Sequence, residues 1–148
     1  MTAYIALLRG INVGGHNLIA MADLRDHFEK LRFSNAKTLL QSGNVVFQCN
    51  RRTCLALERL LEAETKKRLA ASVDYFVRTV EEWQTIVSRN PFPEEAKNDP
   101  GHLIVQFMKD EAEANKVKTL QSAIRGPEIV RADGRHLYES LKLRYPPT

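Results

Sequence analysis

The sequence predicts an α+β fold in which a ferredoxin-like βαββαβ unit is followed by a second, incomplete α/β unit of the order βαββ. Two observations support this fold class. Short runs rich in β-branched and aromatic residues alternate with segments whose apolar residues recur every three or four positions. Turn signals separate neighbouring runs, and the strongest are Ser42-Gly43-Asn44 and Asp133-Gly134.

The first unit is predicted to contain four strands. One apolar run follows the N-terminus, two runs flank the turn at Gly43 and should pair as a hairpin, and one run follows a long helical segment. These strands are predicted at residues 4–9, 36–40, 45–49 and 73–78. The intervals after the first and third strands are long enough for a helix, which is the βαββαβ order.

Apolar residues at helical spacing predict three helices in this part. The first helix carries on one face Met21, Leu24, Phe28 and Leu31. The second helix runs from about Thr53 to Leu69. The third opens at Thr79 and Glu82, which have the spacing of a capping box, and must end before Pro91 because proline cannot continue a helix.

The same pattern restarts after a proline-rich stretch. A strand is predicted at 102–108, followed by a helix that is capped by Asp110, with Glu113 three residues on. Two short runs, at 128–131 and 136–138, should form a second hairpin.

The second part lacks a pattern that would complete its sheet. Residues 140–148 show no periodicity that predicts a closing helix and strand. We therefore expect an exposed edge strand, through which two chains could pair as a homodimer. The domains are predicted at residues 1–88 and 102–148, joined by a linker at 89–101.

Composition is typical of a globular protein, with 43% hydrophobic and 27% charged residues. No apolar run approaches the ~18–20 residues that span a bilayer. The N-terminus lacks the basic start of a signal peptide, so we expect a cytoplasmic protein without membrane contact. Cys49 and Cys54 cannot complete a zinc site by themselves, and a reducing cytosol disfavours a disulfide. No metal and no cofactor are therefore expected.

The predicted topology brings two loops to one edge of the first sheet. Right-handed crossovers make the first and second strands parallel, with the third running back between them. The segment that follows the first strand contains Arg9, Asn12, Gly14 and Gly15, and it should lie beside the turn that contains Gln41, Ser42 and Asn44. Loops at the carboxyl ends of parallel strands are where α/β sheets usually bind ligands.

The residue types at this edge suit a bound anion. Glycines let backbone N–H groups approach an oxygen closely, a helix begins a few residues later, and Arg9 offers a fork of donors. The side-chain amides and the Ser42 hydroxyl could fix a ligand's orientation. A second interpretation stays open, in which the glycines only shape turns and the amides bond to the loop backbone.

No complete catalytic or nucleotide-binding motif is present. The sequence has neither GxGxxG nor GxxxxGK[ST], its four histidines are scattered, and no base is visibly placed to activate Ser42. We therefore expect a binding protein for an anionic small molecule, such as a nucleotide or a phosphorylated metabolite. An enzyme acting on an anionic substrate at the same edge stays open as an alternative.

Nucleic-acid binding is the other alternative. The net charge of +4, from 22 basic and 18 acidic residues, fits an anionic partner without requiring one. RNA or single-stranded DNA could contact the basic surface and stack on sheet aromatics such as Tyr4 and Phe47. This function is not favoured, because the basic-Gly-aromatic signature of RNA-binding sheets is missing.

Five segments together carry a resemblance to a known family. They are YIALLRGINVGG (4–15), MADLR (21–25), LQSGNVVF (40–47), NPF (90–92) and GRHLY (134–138). In these segments the chain resembles the uncharacterised bacterial family catalogued as domain of unknown function 1697. The resemblance implies a two-part α/β protein with ferredoxin-like units, and it implies no reaction.

Two departures from the family's pattern matter. The family usually has glycine where Arg32 follows the first helix, so either an arginine side chain must tolerate the geometry of the helix end or the helix must end differently. Family members also continue past the last tyrosine strand into a Ser-Lys-Leu helix and a further polar segment, and residues 140–143 carry at most an echo of that helix. We therefore expect a shortened or degenerate member, in which a site that used those segments would be incomplete.

Overall fold

A computed structural model describes residues 1–15, 17–39 and 43–141 of the chain. Helices and two antiparallel sheets combine there in a mixed α+β fold, which confirms the predicted class at that level. The chain forms two compact units, residues 1–84 and 85–148, while the predicted domain and linker boundaries stay a prediction. No helix of the described part is long and apolar enough to cross a membrane.

The first unit has the element order βαββαβ, followed by the start of a third helix. Its strands are β1 (Thr2–Arg9), β2 (Ser34–Leu39), β3 (Asn44–Cys49) and β4 (Asp74–Thr79). Its helices are α1 (Met21–Lys30), α2 (Cys54–Leu69) and α3 (Val80–Ser88), and the last continues into the second unit. Each element lies close to its predicted position, because the periodicity of apolar residues reports which face is buried.

The first sheet has the strand order β2-β3-β1-β4, and all neighbouring strands are antiparallel. Because β3 runs antiparallel to both β1 and β2, those two strands are parallel to each other. One row of register partners crosses all four strands, through Leu39, Asn44, Leu7 and Phe76. The ends of β1 and β2 therefore lie at the same edge of the sheet as the start of β3.

The core of the first unit lies between this sheet and its helices. Alternate residues of β1 and β3 are buried on that face, in agreement with the two-residue period of a strand. Phe28 of α1 lies 5.2 Å from Phe47, measured between ring centroids, and Leu57 and Leu61 of α2 belong to the same cluster. The strands and helices are held together mainly by this apolar contact.

A small polar cluster lies inside that core. The Nε2 atom of His27 is 3.3 Å from Thr65 Oγ1, which is 2.7 Å from the Tyr75 hydroxyl. Burial raises the pKa of Tyr75 to about 12. Burial, assisted by the charge of Arg68, lowers the pKa of His27 from its ordinary value of 6.5. Both groups are therefore neutral at pH 7.

Two helices begin directly after residues whose side chains cap them. The Thr53 hydroxyl accepts a hydrogen bond from Ala56 N–H (3.1 Å) at the start of α2. At the start of α3, Glu82 N–H donates to Thr79 Oγ1 (3.0 Å) and Thr79 N–H donates to Glu82 Oε1 (3.1 Å). These two bonds confirm the predicted capping box.

The end of α1 has the geometry that glycine favours, although an arginine occupies it. Arg32 has φ +65°, in the left-handed region. Arg32 N–H donates to the Glu29 carbonyl (2.9 Å) and Phe33 N–H to the Phe28 carbonyl (3.1 Å), which is a Schellman motif. Of the two alternatives, the structure has the first: the arginine adopts the cap geometry that glycine favours.

Two carboxylates of α2 accept hydrogen bonds from backbone N–H groups at the outer edge of β4. Val77 N–H donates to Glu58 Oε2 and Tyr75 N–H to Glu62 Oε2, each at 2.9 Å. Glu58 also pairs with the Arg78 guanidinium at 3.3 Å, and both side chains are only 1% exposed. The edge strand of the first sheet is thus closed by its own helix.

The second unit has the order βαββ after a short helical stretch. Its helices are α4 (Pro93–Asn98) and α5 (Ala114–Ala123), and a 3-10 turn follows α4 at Pro100–His102. Its strands are β5 (Leu103–Phe107), β6 (Ile129–Asp133) and β7 (His136–Ser140), in the antiparallel order β5-β7-β6. Phe92, within the stretch predicted as a linker, is buried together with Ile86 and Tyr138.

The predicted start of α5 is wrong. The helix begins at Ala114, and neither Asp110 nor Glu113 makes a side-chain cap there. The reason is a backbone contact with the β6–β7 turn, because Met108 N–H donates to the Arg135 carbonyl (2.8 Å) and Ala112 N–H to the Gly134 carbonyl (3.2 Å). These bonds keep the chain non-helical through the position at which Asp110 would have capped a helix.

Candidate functional site

The end of β1 and the start of β3 meet at one edge of the first sheet. Leu7 and Asn44 are register partners, and Leu8 N–H donates to the Gly43 carbonyl at 3.0 Å. We call this edge the glycine rim; among the described residues it comprises 9–15, 39, 43 and 44. Gln41 and Ser42, which were predicted to belong to the site, lie outside the described residues.

Gly43 brings the two loops of the glycine rim into contact. A Cβ atom at this position would lie 2.5 Å from Ile11 Cδ1 and 3.0 Å from Leu8 Cβ. Gly43 also has φ +85°, which other residues rarely adopt. The close approach therefore depends on glycine, and it places the segment after β1 directly against the turn before β3.

Asn12 holds its own loop closed. Its side-chain oxygen accepts from Ile19 N–H (2.8 Å), and its side-chain nitrogen donates to the Ile19 carbonyl (3.0 Å). Asn17, which sequence reasoning missed, adds a bond to the Ser72 carbonyl (3.2 Å), and its carbonyl accepts from Asn12 N–H (3.2 Å). These two asparagines position the loop, and their left-handed backbones, φ 55° and 49°, are a geometry that asparagine tolerates well.

Consecutive glycines form the exposed tip of this loop. Gly14 and Gly15 have φ 61° and 75°, and both are exposed to solvent. Helix α1 begins shortly afterwards, and its N-cap residue, Ala20, provides no side-chain acceptor for the first-turn N–H groups. Backbone donors from the loop and from the helix start are therefore present at the same edge.

Charged side chains of both signs lie at or near the glycine rim. Arg9 is exposed at the end of β1, where its register partner on β4 is Asp74. Arg25 of α1 donates to Thr38 Oγ1 at 2.8 Å, close to the end of β2, while Asp23 lies in the first turn of α1. Sequence reasoning missed Arg25, although it closes the MADLR segment. Attraction of an anion here would thus depend on local donors more than on net charge.

Three large apolar side chains are exposed at the same edge. Val13 and Leu18 belong to the connection between β1 and α1, and Leu39 ends β2; they are 67%, 73% and 58% exposed. Apolar residues exposed together on a monomer are frequently a contact surface. The glycine rim therefore offers both polar donors and apolar contact.

A cleft of about 430 Å³ lies at the opposite edge of the first unit. Its lining residues come from the starts of β1, α2 and α3 and from the end of β4: Tyr4, Arg51, Arg52, Thr53, Cys54, Thr79 and Glu82. The Cys54 thiol donates to Glu82 Oε1 (3.2 Å), and the Tyr4 hydroxyl donates to the Arg52 carbonyl (2.7 Å). Of the predicted site residues that the structure describes, none lines this cleft.

The second unit has a cleft of its own, of about 580 Å³, between α5 and β6. Small and apolar side chains, such as Val117 and Val130, form much of its lining, and Lys118 and Arg131 add positive charge. No predicted site residue lies in this unit.

Two observations bear on the other functions that the sequence left open. Tyr4 and Phe47 are completely buried in the core of the first unit, so neither ring can stack on a nucleic-acid base. Among residues 1–15, 17–39 and 43–141, no group of three or more His, Cys, Asp or Glu side chains is arranged to hold a metal ion.

Comparison with known proteins identifies a family and a fold. A family model described as "Protein of unknown function (DUF1697)" matches residues 1–138. A solved structure, that of the conserved bacterial protein SP0830 from Streptococcus pneumoniae, is similar to this chain with a TM-score of 0.75 and 20% sequence identity. The similarity covers 95% of this chain and 78% of that one, and at this identity it shows the fold alone. No curated protein matches the sequence.

Proposed function

We propose that this chain, which belongs to the DUF1697 family of proteins of unknown function, binds an anionic small molecule at the glycine rim of its first unit. Family membership implies no reaction, so the support comes from geometry. The observation that carries the proposal is the contact of Gly43 with Ile11 and Leu8, because it joins two loops that are distant in sequence into one surface. A ligand at that surface would contact both loops at once.

Oriented donors supply the affinity for an anion. The N–H groups of Gly14 and Gly15, in a left-handed tip, can converge on an oxygen in the way that backbone nests do. The N-terminus of α1 adds its partial positive charge, and Arg9 and Arg25 add guanidinium donors. Asn12 contributes indirectly, since its amide already bonds to Ile19 and fixes the shape of the loop.

The apolar side chains at the rim favour a ligand that has a ring as well as a phosphate. Val13, Leu18 and Leu39 offer a surface on which a base could pack, whereas an inorganic phosphate or a sugar phosphate would leave them in water. We therefore propose a mononucleotide or a similar phosphorylated ring compound as the ligand class.

Calorimetric titration with four probes tests this function: AMP, adenosine, ribose 5-phosphate and inorganic phosphate. AMP is expected to bind most tightly, because it alone among the four probes has both a base and a phosphate. Arg9→Ala and Arg25→Ala should each weaken AMP binding about tenfold, the loss of one charge-assisted hydrogen bond. Asp74→Asn should strengthen binding, because it removes a negative charge across from Arg9.

Arg51→Ala is the matched control, since Arg51 is an exposed arginine at the opposite edge of the same unit. Its AMP affinity should equal that of the wild type. Binding that is lost in Arg51→Ala and kept in Arg9→Ala would move the site to the opposite cleft. A chain that binds none of the four probes at millimolar concentration would rule out this ligand class.

We also propose that the first unit has a ferredoxin-like fold and that the protein is cytoplasmic, as the sequence predicted. The strand order β2-β3-β1-β4 with two helices on one face supports a ferredoxin-like assignment for the first unit. A cytoplasmic location is supported by Cys49 and Cys54, which form no disulfide and so suit a reducing compartment. Fractionation of cells that express the tagged chain would test the location, and recovery in the membrane or secreted fraction would contradict it.

A further inference from the structure

The outer edge of β6, in the second unit, is bridged at two places. Gln121 of α5 accepts a hydrogen bond from Val130 N–H (2.8 Å), and its side-chain nitrogen donates to the Glu128 carbonyl (3.1 Å). Further along the same edge, Ala112 N–H donates to the Gly134 carbonyl at 3.2 Å. The main-chain groups that point away from β7 therefore belong to the even-numbered residues.

Ala132 lies between these two bridges, and its main-chain groups also point outward. The pairing of β6 with β7 runs without a register shift, so the alternation of inward and outward residues continues from Val130 to Ala132. The Val130 carbonyl accepts from Arg131 Nη1 (2.9 Å), whereas no described residue bonds to the outer N–H and C=O groups of Ala132. Ala132 is exposed, so water or a ligand can bond to this donor and this acceptor.

The cleft of about 580 Å³ between α5 and β6 opens at this gap. Ala132 lines the cleft, together with the apolar side chains of Val117 and Val130. Its charged lining residues in the described chain are Lys118 and Arg131, and no ion pair of the described residues involves either of them. The cleft thus combines a main-chain donor and acceptor, an apolar surface and two available cations.

The two bridges limit the ligand to a small molecule. They close the edge at Val130 and Gly134, with about 13 Å of strand between them, so an extended peptide could not continue past either one. The described lining residues all lie between positions 112 and 134. Leu141, the last described residue, bonds to the His102 carbonyl beside β5, at the other edge of this sheet.

We propose that this cleft binds an N-acylated apolar amino acid, at a site separate from the glycine rim. The ligand's N–H donates to the Ala132 carbonyl and a carboxylate oxygen accepts from Ala132 N–H, which is the exchange that one residue of an added antiparallel strand makes. The carboxylate pairs with Lys118 and Arg131, and the apolar side chain packs on Val117 and Val130. The acyl group matters because a free ammonium would meet two cations.

Calorimetric titration of the full chain with N-acetyl-leucine tests the proposal. Leucine, which has a free ammonium, and N-acetyl-leucine methylamide, which has no carboxylate, should each bind at least about tenfold more weakly. Lys118→Ala and Arg131→Ala should each weaken the binding of N-acetyl-leucine about tenfold, the loss of one charge-assisted hydrogen bond. Lys116→Ala is the matched control, because Lys116 is an exposed lysine of the same helix that pairs with Glu113 (3.7 Å), and its affinity should equal that of the wild type.

Ala132→Pro tests the main-chain contact separately. Proline removes the outward N–H group and is tolerated on an edge strand, so this variant should stay folded by circular dichroism and bind N-acetyl-leucine about tenfold more weakly. A wild type that does not bind N-acetyl-leucine at millimolar concentration, or an affinity that Lys118→Ala and Arg131→Ala leave unchanged, would overturn the proposal. Binding that is abolished in Arg9→Ala would also overturn it, because the ligand would then lie at the glycine rim, which the AMP titration tests independently.

Discussion

Replacing Glu58 with alanine is expected to destabilise the first unit far more than the same change at Glu62. Both carboxylates accept one N–H group from β4 at 2.9 Å. Glu58 also faces the guanidinium of Arg78, and both side chains of this pair are removed from water. The two residues lie one helical turn apart on α2, so the comparison holds the backbone environment nearly constant.

The magnitudes follow from those contacts. Loss of the Glu62 acceptor at a half-buried site should cost about 1 kcal/mol. Loss of one member of a buried ion pair should cost about 3–5 kcal/mol, because the remaining charge is left in a low-dielectric interior. Glu58→Gln keeps an acceptor for Val77 N–H while it removes the charge, so its cost should lie between the two.

Urea unfolding followed by the fluorescence of Trp83, the single tryptophan of the chain, measures these differences in the first unit. Free energies of unfolding for Glu58→Ala and Glu62→Ala that agree within about 1 kcal/mol would refute the reasoning. Such a result would mean that water reaches Arg78 once Glu58 is shortened.

Three further outcomes are expected. Arg32→Gly should raise the free energy of unfolding by about 0.5–1 kcal/mol, since glycine adopts φ +65° without strain, and Arg32→Ala should bring no gain. The wild type should lose stability as pH falls through 6.5, because His27 takes up a proton at higher pH in the unfolded chain than in the folded one. His27→Gln should flatten that part of the plot of urea midpoint against pH. The wild type should also lose about 2–3 kcal/mol as pH rises from 10 to 12, because Tyr75 ionises first in the unfolded chain; in Tyr75→Phe the loss over this range should be smaller by that amount, and an equal loss in the variant would contradict the assignment.

Local sequence patterns predicted the fold wherever one segment determines its own structure. Thr79 and Glu82 form their capping box from side chains three residues apart, which no tertiary contact needs to supply. The hairpin of β2 and β3 follows from one turn between two runs of alternating residues. The same logic failed at Asp110, because backbone bonds from Met108 and Ala112 to a turn more than twenty residues later outweigh a local cap.

At the glycine rim, the meeting of the two loops could be predicted from the sequence, but the hydrogen-bond partners of the side chains could not. The meeting of the two loops follows from strand order, which crossover handedness restricts. That Asn12 bonds to Ile19 instead of facing solvent depends on its left-handed backbone, which the sequence does not reveal. Arg25 reaches Thr38 across two elements, so only the packing of α1 on the sheet shows it.

An NMR titration of the ¹⁵N-labelled chain with AMP would test directly whether the two loops act as one binding surface. The amide resonances of Gly14, Gly15 and Gly43 should shift together and saturate with a single dissociation constant, while those of residues 51–54 at the opposite edge stay in place. Shifts confined to one of the two loops, or shifts at residues 51–54 in their stead, would contradict a shared site at the glycine rim.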